Sequence, residues 1–164
     1  MQAITIMIRR FLLSLTALAC LAAPAVAITV EPCDWRASLE GIPAPWEEHT
    51  RTFANGDVRI TVTDMIEPAA GAYHLVIISP PYDELGAKQC QVVSLDGSLG
   101  FARMIPASAQ SSYDPATGLT LILPSGTYNH DTGGVNECDL SVTINQATGQ
   151  ITANWADESG MGGK

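Results

Sequence analysis

Apolar and polar residues alternate over much of the chain, and the clearest example is the segment 57–63. Val58, Ile60 and Val62 lie on one face of it, and only polar or charged side chains lie on the other. A period of two is typical of a β-strand with one buried face. An Asn-Gly pair directly before the segment is the strongest short hairpin signal, so residues 50–53 are predicted to pair with it.

The segment 72–79 differs because both of its faces are apolar. Such a strand is usually central in a sheet and covered on both sides. Pro80 and Pro81 follow directly and are predicted to end it. The other predicted strands are 89–95, 99–105, 119–123, 138–145 and 150–155. Seven to eight short strands predict an all-β fold, a single-domain antiparallel β-sandwich or partly closed barrel over 28–155, with a flexible C-terminal tail over 156–164.

The segment before these strands, 28–52, contains several prolines and is predicted to be irregular apart from one short N-terminal helix. Asp34 is a suitable N-cap for this helix, and Gly41 is a suitable residue to close it. Trp35 and Leu39 have the spacing of neighbours on one helix face. No other segment shows a sustained helical period.

Three short polar segments end in Thr-Gly, at 114–118, 129–133 and 145–149. In the first and the last, a predicted strand follows the glycine at once, which is typical of a hairpin built on a type I turn. The middle segment contains Asp-Thr-Gly, the signature triplet of aspartic proteases. Those enzymes need two such carboxylates side by side, and this chain contains the triplet once, followed by Gly134. We therefore predict a turn at all three places.

Residues 1–27 have the three parts of a secretory signal peptide. Arg9 and Arg10 precede a short apolar run, and small residues precede a cleavage site after Ala27. The apolar run is too short for a lasting membrane span. A lipoprotein signal ending at Cys20 is the alternative, although the residues before this cysteine depart from that pattern. We predict a protein that is periplasmic or secreted.

The chain is acidic, with 17 Asp and Glu residues against 8 Lys and Arg residues and a formal net charge of −9. Cleavage after Ala27 would remove two of the basic residues and none of the acidic ones. Nucleic acid and anionic membrane surfaces both favour positively charged proteins, so neither is a predicted partner. A cationic protein is the partner that this charge favours. The sequence does not indicate an oligomeric state.

Three cysteines follow the predicted cleavage site, and an oxidising compartment favours one disulfide among them. Cys138 shares a strand face with Leu140 and Val142, so it is predicted to be a buried thiol. Cys33 lies in the irregular N-terminal segment, and Cys90 lies near the start of a strand, where a bridge forms more easily than in mid-strand. We predict a Cys33–Cys90 disulfide in preference to either pairing of Cys138.

No motif for catalysis, for a cofactor or for a metal ion is visible in the chain. A Ser-His-Asp enzyme needs a nucleophile on a strained turn, and no such elbow sequence occurs. His74 lies on an apolar strand face and is predicted to be a hydrogen-bonded core residue. Residues 131–139 lack the register of an EF-hand, so an irregular calcium loop is only the alternative to a solvated one. We predict no catalytic residues, cofactor or metal.

The strongest candidate for a binding site is the loop after the central strand, where Tyr82, Asp83 and Glu84 follow two prolines. An aromatic residue beside carboxylates on a rigid loop is suited to contact with a basic partner. The alternative is that Tyr82 covers the edge of the core and that the two carboxylates are simply solvated.

These observations predict an exported, acidic β-sandwich that binds a ligand which the sequence does not identify. One alternative is a secreted or periplasmic inhibitor of a cationic enzyme, such as a lysozyme or a protease, whose basic cleft the acidic loop would enter. The other alternative is an enzyme whose catalytic residues are dispersed along the chain and form no motif.

Overall fold

The structure is a computed structural model that describes residues 28–156. The predicted signal peptide, 1–27, and the predicted tail beyond its first residue, 157–164, lie outside the described residues. The described chain forms two five-stranded antiparallel sheets that pack face to face around an apolar core, without closing into a barrel. This arrangement confirms the all-β sandwich predicted from the alternating pattern.

Residues 28–156 contain ten strands, one short helix and four 3-10 turns. The strands are β1 Thr29–Pro32, β2 Thr50–Phe53, β3 Val58–Asp64, β4 Tyr73–Tyr82, β5 Lys88–Ser94, β6 Arg103–Met104, β7 Gln110–Asp114, β8 Gly118–Tyr128, β9 Val135–Ile144 and β10 Ile151–Trp155. The helix α1 is Trp46–His49, and the 3-10 turns are Trp35–Ala37, Leu39–Gly41, Ala54–Gly56 and Pro106–Ser108.

The first sheet has the strand order β1-β5-β4-β3-β2, and the second has the order β10-β9-β8-β6, with β7 also paired to β8. The central position of β4 confirms the prediction made from its two apolar faces. The core lies between the sheets and includes fully buried side chains from both: Val58, Ile60, Val62, Leu75, Ile77, Val93, Phe101, Leu121, Leu123, Leu140, Val142 and Ile144.

The prediction that Pro80 and Pro81 end β4 is wrong, because the strand continues to Tyr82. The pairing of β4 with β5 changes register between Ser79 and Tyr82, where Pro80 and Pro81 lie. Proline has no N–H group to donate, so the ladder is interrupted at the two prolines. Pairing resumes between Tyr82 and Lys88.

Three further differences concern the strands. β1 lies in a segment predicted to be irregular, and β7 was not predicted because its five residues are all exposed and show no apolar alternation. The predicted strand 99–105 is only two residues long in the structure. Phe101 still exchanges backbone hydrogen bonds with Tyr73 of the first sheet, whereas Ala102 donates to Gly126 of the second sheet. The chain therefore crosses between the sheets at this point instead of extending one of them.

The helix predicted between Asp34 and Gly41 is replaced by two 3-10 turns with the extended residue Ser38 between them. Asp34 is an N-cap as predicted, since its carboxylate accepts a hydrogen bond from the backbone N–H of Arg36 at 3.0 Å. Arg36 is the buried residue of this segment, while the predicted apolar pair is exposed. The interactions of Arg36 with the sheet, rather than an apolar helix face, determine the local conformation.

The three Thr-Gly segments form the same turn, as predicted. An Asx side chain at the first position accepts hydrogen bonds from the backbone N–H groups two and three residues later, and the final glycine has a positive φ. The Asx residues are Asp114, Asn129 and Asn145. Only glycine adopts this left-handed conformation without steric cost. The Asp-Thr-Gly triplet belongs to the second of these turns.

Candidate ligand-binding cavity

The outer face of the first sheet is partly covered by residues 33–49, which we call the cover segment. The sheet residues on this face include Thr50, Thr52, Arg59, Thr61, Thr63, His74, Val76, Ile78, Cys90, Val92 and Ser94. The Cys33–Cys90 disulfide joins the start of the cover segment to β5, with Cα atoms 5.3 Å apart. This bridge is the one predicted from the sequence. Thr63 also holds the segment, because its hydroxyl donates to the backbone carbonyl of Arg36 at 2.7 Å.

Arg36 is the second anchor of the cover segment and is only 4% exposed. Its guanidinium group has four partners: the carboxylates of Asp34 and Glu31, Ser94 Oγ at 3.0 Å and the backbone carbonyl of Gly97 at 2.6 Å. These bonds satisfy a buried charge, which would otherwise be costly. The hydrogen bond from Arg36 also holds the pKa of Asp34 below its usual value.

His74 and Ser94 form a hydrogen-bonded pair beneath the cover segment, with His74 Nδ1 and Ser94 Oγ 2.8 Å apart. Arginine can only donate, so Ser94 Oγ accepts from Arg36 and its own hydrogen is available to His74 Nδ1. His74 is a neutral imidazole at neutral pH, and its Nε2 atom is buried without a hydrogen-bond partner among residues 28–156. Burial, and secondly the charge of Arg36, lower the pKa of His74 to about 4, while Asp34 opposes this shift.

The contact between a serine and a histidine invites comparison with a hydrolase, but its surroundings differ from those of an active site. Ser94 is 0% exposed and His74 is 1% exposed, so a substrate has no access to the hydroxyl. Ser94 Oγ also accepts a hydrogen bond from Arg36, which lowers its nucleophilicity. The pair agrees with the prediction that His74 is a hydrogen-bonded, buried residue.

A cavity of about 260 Å³ lies between the cover segment and the outer face of the first sheet. Most of its lining is apolar, and hydroxyl groups line one side. The lining residues are Ala37, Leu39, Ile42, Trp46, Thr50, Arg59, Thr61, Thr63, Val76, Ile78 and Cys90. The cavity exists because β4 presents a second apolar face and the cover segment spans that face without filling it.

Large apolar side chains stand exposed at the opening of this cavity. Leu39 is 74% exposed and Trp46 is 60% exposed, although both also line the cavity. Scattered exposed apolar residues are ordinary, but a group of them at a concave site is typical of a ligand-binding site.

Arg59 lies at the junction of this cavity with a more open hollow, which is lined by Gly56, Arg59, Ile78 and Lys88. Arg59 is exposed, and its neighbours across the ladder are Thr52 and Ile78, neither of which is acidic. Within residues 28–156 its guanidinium group has no hydrogen bond and no ion pair. The site thus combines an apolar cavity with one unpaired positive charge.

The predicted binding residues lie outside this cavity, at the hairpin between β4 and β5. The hydroxyl of Tyr82 donates to the carboxylate of Asp57 at 3.2 Å, and the ammonium of Lys88 lies 5.6 Å from the centre of its ring. One carboxylate oxygen of Asp83 accepts from two backbone N–H groups of the turn, at 2.9 Å and 2.8 Å. Of the three predicted residues, only Glu84 has no side-chain hydrogen bond or ion pair within residues 28–156, and it is exposed.

The remaining reactive side chains of residues 28–156 do not converge on a second site. Cys138 is a free thiol that is only half-buried, less than predicted, and burial followed by the charges of Asp139 and Glu137 raises its pKa. His130 packs edge to face on Tyr128, with ring centres 4.9 Å apart. Across residues 28–156 no three His, Cys, Asp or Glu side chains are grouped as a metal ion requires.

Comparison of the chain with family models, with curated proteins and with solved structures gives no match. None of the helices in the described residues is long and apolar enough to cross a membrane.

The cavity was not predicted from the sequence, although two signals for it are present. The segment 72–79 has two apolar faces, so the face turned away from the core needs a covering layer. The cover segment contains two tryptophans without a helical stripe to bury them, and Trp46 is one of the lining residues. Sequence alone did not indicate that these two features meet.

Proposed function

We propose that the protein is an exported binding protein that holds a ligand in the cavity under the cover segment. The observation that carries this proposal is an apolar cavity with exposed Leu39 and Trp46 at its opening and an unpaired Arg59 at its end. Binding suits this site better than catalysis, because the hydrogen-bonded hydroxyl and imidazole of Ser94 and His74 are buried and do not line the cavity.

Export to the periplasm or the exterior is part of this proposal. The Cys33–Cys90 disulfide supports it, since structural disulfides persist mainly in oxidising compartments. Intact-mass analysis of the exported protein should give an unmodified chain that begins at Ile28. A diacylglyceryl group on Cys20 would instead show a membrane-anchored lipoprotein.

Fluorescence titration with 1-octanol, a neutral apolar probe, tests the binding function. Trp46 lines the cavity, so we expect a saturable change in its emission and no such change in Trp46→Phe. Replacing Thr61 with phenylalanine should fill the cavity and weaken octanol binding at least about tenfold, a loss of about 1.4 kcal/mol.

Thr120→Phe is the matched control for Thr61→Phe. Thr61 pairs with Thr50 through hydroxyl groups 3.3 Å apart, and Thr120 pairs with Thr143 at 3.0 Å on the second sheet, away from the cavity. Octanol binding should survive in the control. Equal binding by both variants, or no saturable binding to the native protein, would contradict the proposed function.

The inhibitor hypothesis is the second candidate, and one observation favours it. The hairpin between β4 and β5 presents Glu84 beside Leu85, which is 93% exposed, on a turn whose backbone is fixed by the carboxylate of Asp83. A fixed turn with an acidic and an apolar residue at its tip suits insertion into a basic cleft.

A binding assay against a panel of cationic lysozymes and proteases tests this candidate. Inhibition that disappears in Glu84→Gln/Leu85→Ser and weakens at high salt would support it, because electrostatic steering is screened by salt. Inhibition that is unchanged in this variant would reject the hairpin as the inhibitory element. Thr61→Phe should leave inhibition unaltered, which separates the two candidates.

A further inference from the structure

Arg59 differs from the other cations of the described chain because it has neither a charged nor a hydrogen-bonded partner there. Arg36 pairs with Asp34 and Glu31, Lys88 with Asp57, and Arg103 with Glu137. Arg51 donates to three backbone carbonyl groups of residues 106–109. Arg59 alone among the cations of residues 28–156 has no polar partner, although the chain contains 17 acidic residues.

The unpaired charge of Arg59 lies where the apolar cavity meets the open hollow. Arg59 and Ile78 belong both to the lining of the apolar cavity and to the lining of the open hollow. A molecule in the cavity would thus extend its outer end past Arg59 towards solvent. Lys88 adds a second positive charge to the hollow, although its ammonium group is also 3.4 Å from the carboxylate of Asp57.

The volume of the cavity limits the apolar part of its ligand. At about 260 Å³ it is larger than the cavity of about 150 Å³ that binds benzene in an engineered protein, and it lies near the lower end for ligand sites in general. If a methylene group occupies about the same 30 Å³ as a water molecule in the liquid, the cavity holds roughly eight carbon atoms.

We propose that the ligand is a small amphipathic anion, with an apolar chain of roughly eight carbons in the cavity and a carboxylate or phosphate head on Arg59. Arginine is suited to this role because its planar fork binds such a head through two parallel hydrogen bonds. The inference rests on the proposed binding function and specifies the chemical class of its ligand.

Four probes that contain eight carbon atoms each test the inference: 1-octanol, octanoate, octyl phosphate and octylamine. We expect octanoate or octyl phosphate to bind about tenfold more tightly than octanol, which corresponds to about 1.4 kcal/mol. Octylamine should bind more weakly than octanol, because its ammonium group would lie beside Arg59. The order of octanoate and octyl phosphate decides which head group the site prefers.

Arg59→Gln should abolish the preference for anions over 1-octanol. Arg59→Lys should retain part of the preference, since it keeps the charge and loses the fork. Arg103→Gln is the control for net charge, because it removes a positive charge from the second sheet, and it should bind all four probes like the native protein. Added salt should weaken anion binding and not octanol binding.

The possible outcomes separate this inference from the proposed function. If octanol binds in the cavity and the anions bind no more tightly, or if Arg59→Gln keeps their advantage, the ligand class is wrong and the binding function stands. If 1-octanol does not bind saturably, or if Thr61→Phe and Thr120→Phe bind it equally, the binding function itself is wrong.

Discussion

The two sheets of the sandwich are held in place in different ways. β7, β8, β9 and β10 of the second sheet follow one another through three hairpins, and each turn is closed by an Asx side chain within its own five residues. The first sheet also contains hairpins, but its outer face is covered by a segment held by long-range contacts. The Cys33–Cys90 bridge spans 57 residues, and Arg36 reaches Gly97 across 61.

This difference explains where a cavity can form. Short-range turns align strands that then pack closely, and the outer face of the second sheet remains an ordinary polar surface with threonine pairs. The cover segment is fixed at the disulfide and at Arg36, and it rejoins the sheet at Thr50 of β2. A covering layer that is joined to the sheet at both ends and spans the face between them leaves space beneath it for a ligand.

The disulfide should contribute the largest single effect to the stability of the covered face. Replacing both Cys33 and Cys90 with serine should lower the free energy of unfolding by about 4 kcal/mol, because the unfolded chain loses the constraint of a long closed loop. Urea denaturation followed by tryptophan fluorescence measures this change. Cys138→Ser on the second sheet is the control, and an equally large loss in that variant would contradict the comparison.

Arg36→Ala should have the next largest effect, a loss of about 3 kcal/mol of unfolding free energy. The substitution leaves the carboxylate of Asp34, the hydroxyl of Ser94 and the carbonyl of Gly97 without their shared donor. Arg103→Ala on the second sheet removes only an exposed ion pair with Glu137 and should cost less than about 1 kcal/mol. Similar losses in the two variants, measured by urea denaturation, would show that the cover segment is not anchored by Arg36.

His74 should make the stability of the covered face depend on pH. Its pKa is about 4 in the folded protein against an ordinary 6.5, so the unfolded chain binds the proton more readily. The contribution of the neutral imidazole is complete above pH 6.5 and is lost as the pH falls towards 4. We expect a decrease of about 2 kcal/mol in the free energy of unfolding between pH 7 and pH 5.

Denaturation curves of His74→Gln and His130→Gln at the two pH values test this dependence. The His74 variant should lose most of the decrease, whereas the His130 variant should keep it, because His130 is exposed on the second sheet. A decrease that persists in His74→Gln would assign the pH dependence to other groups.

The same contrast explains how much of the molecule could be predicted from its sequence. The conformation of the three Asx turns and of the alternating strands depends on a few consecutive residues. These elements could therefore be predicted correctly from short segments of the sequence. The 3-10 turns around Arg36 could not be predicted, because their conformation depends on Ser94 and Gly97, which lie about sixty residues away. The disulfide was predictable only because three cysteines allow few pairings.

The cavity depends on one feature that a local sequence pattern records and on another that no local pattern records. Val76 and Ile78 could be recognised as a second apolar face, but the distance between that face and the cover segment depends on packing that no local pattern records. Arg59 looked like an ordinary exposed strand residue. Its significance comes from the absence of a partner in the described chain, and that absence is visible only when all cations have been placed.

The smallest expected effect belongs to the local turns of the second sheet. Asn145→Ala removes the side-chain oxygen that accepts from the N–H groups of Ala147 and Thr148, both at 3.1 Å, and should cost about 1 kcal/mol of unfolding free energy. Asn129→Ala should cost a similar amount, and the double variant should equal the sum, because each turn closes on itself. Urea denaturation of the three variants measures these values, and octanol binding should be unchanged in all of them. A double-variant loss well above the sum would show that the turns are coupled and that the second sheet, like the first, depends on distant contacts.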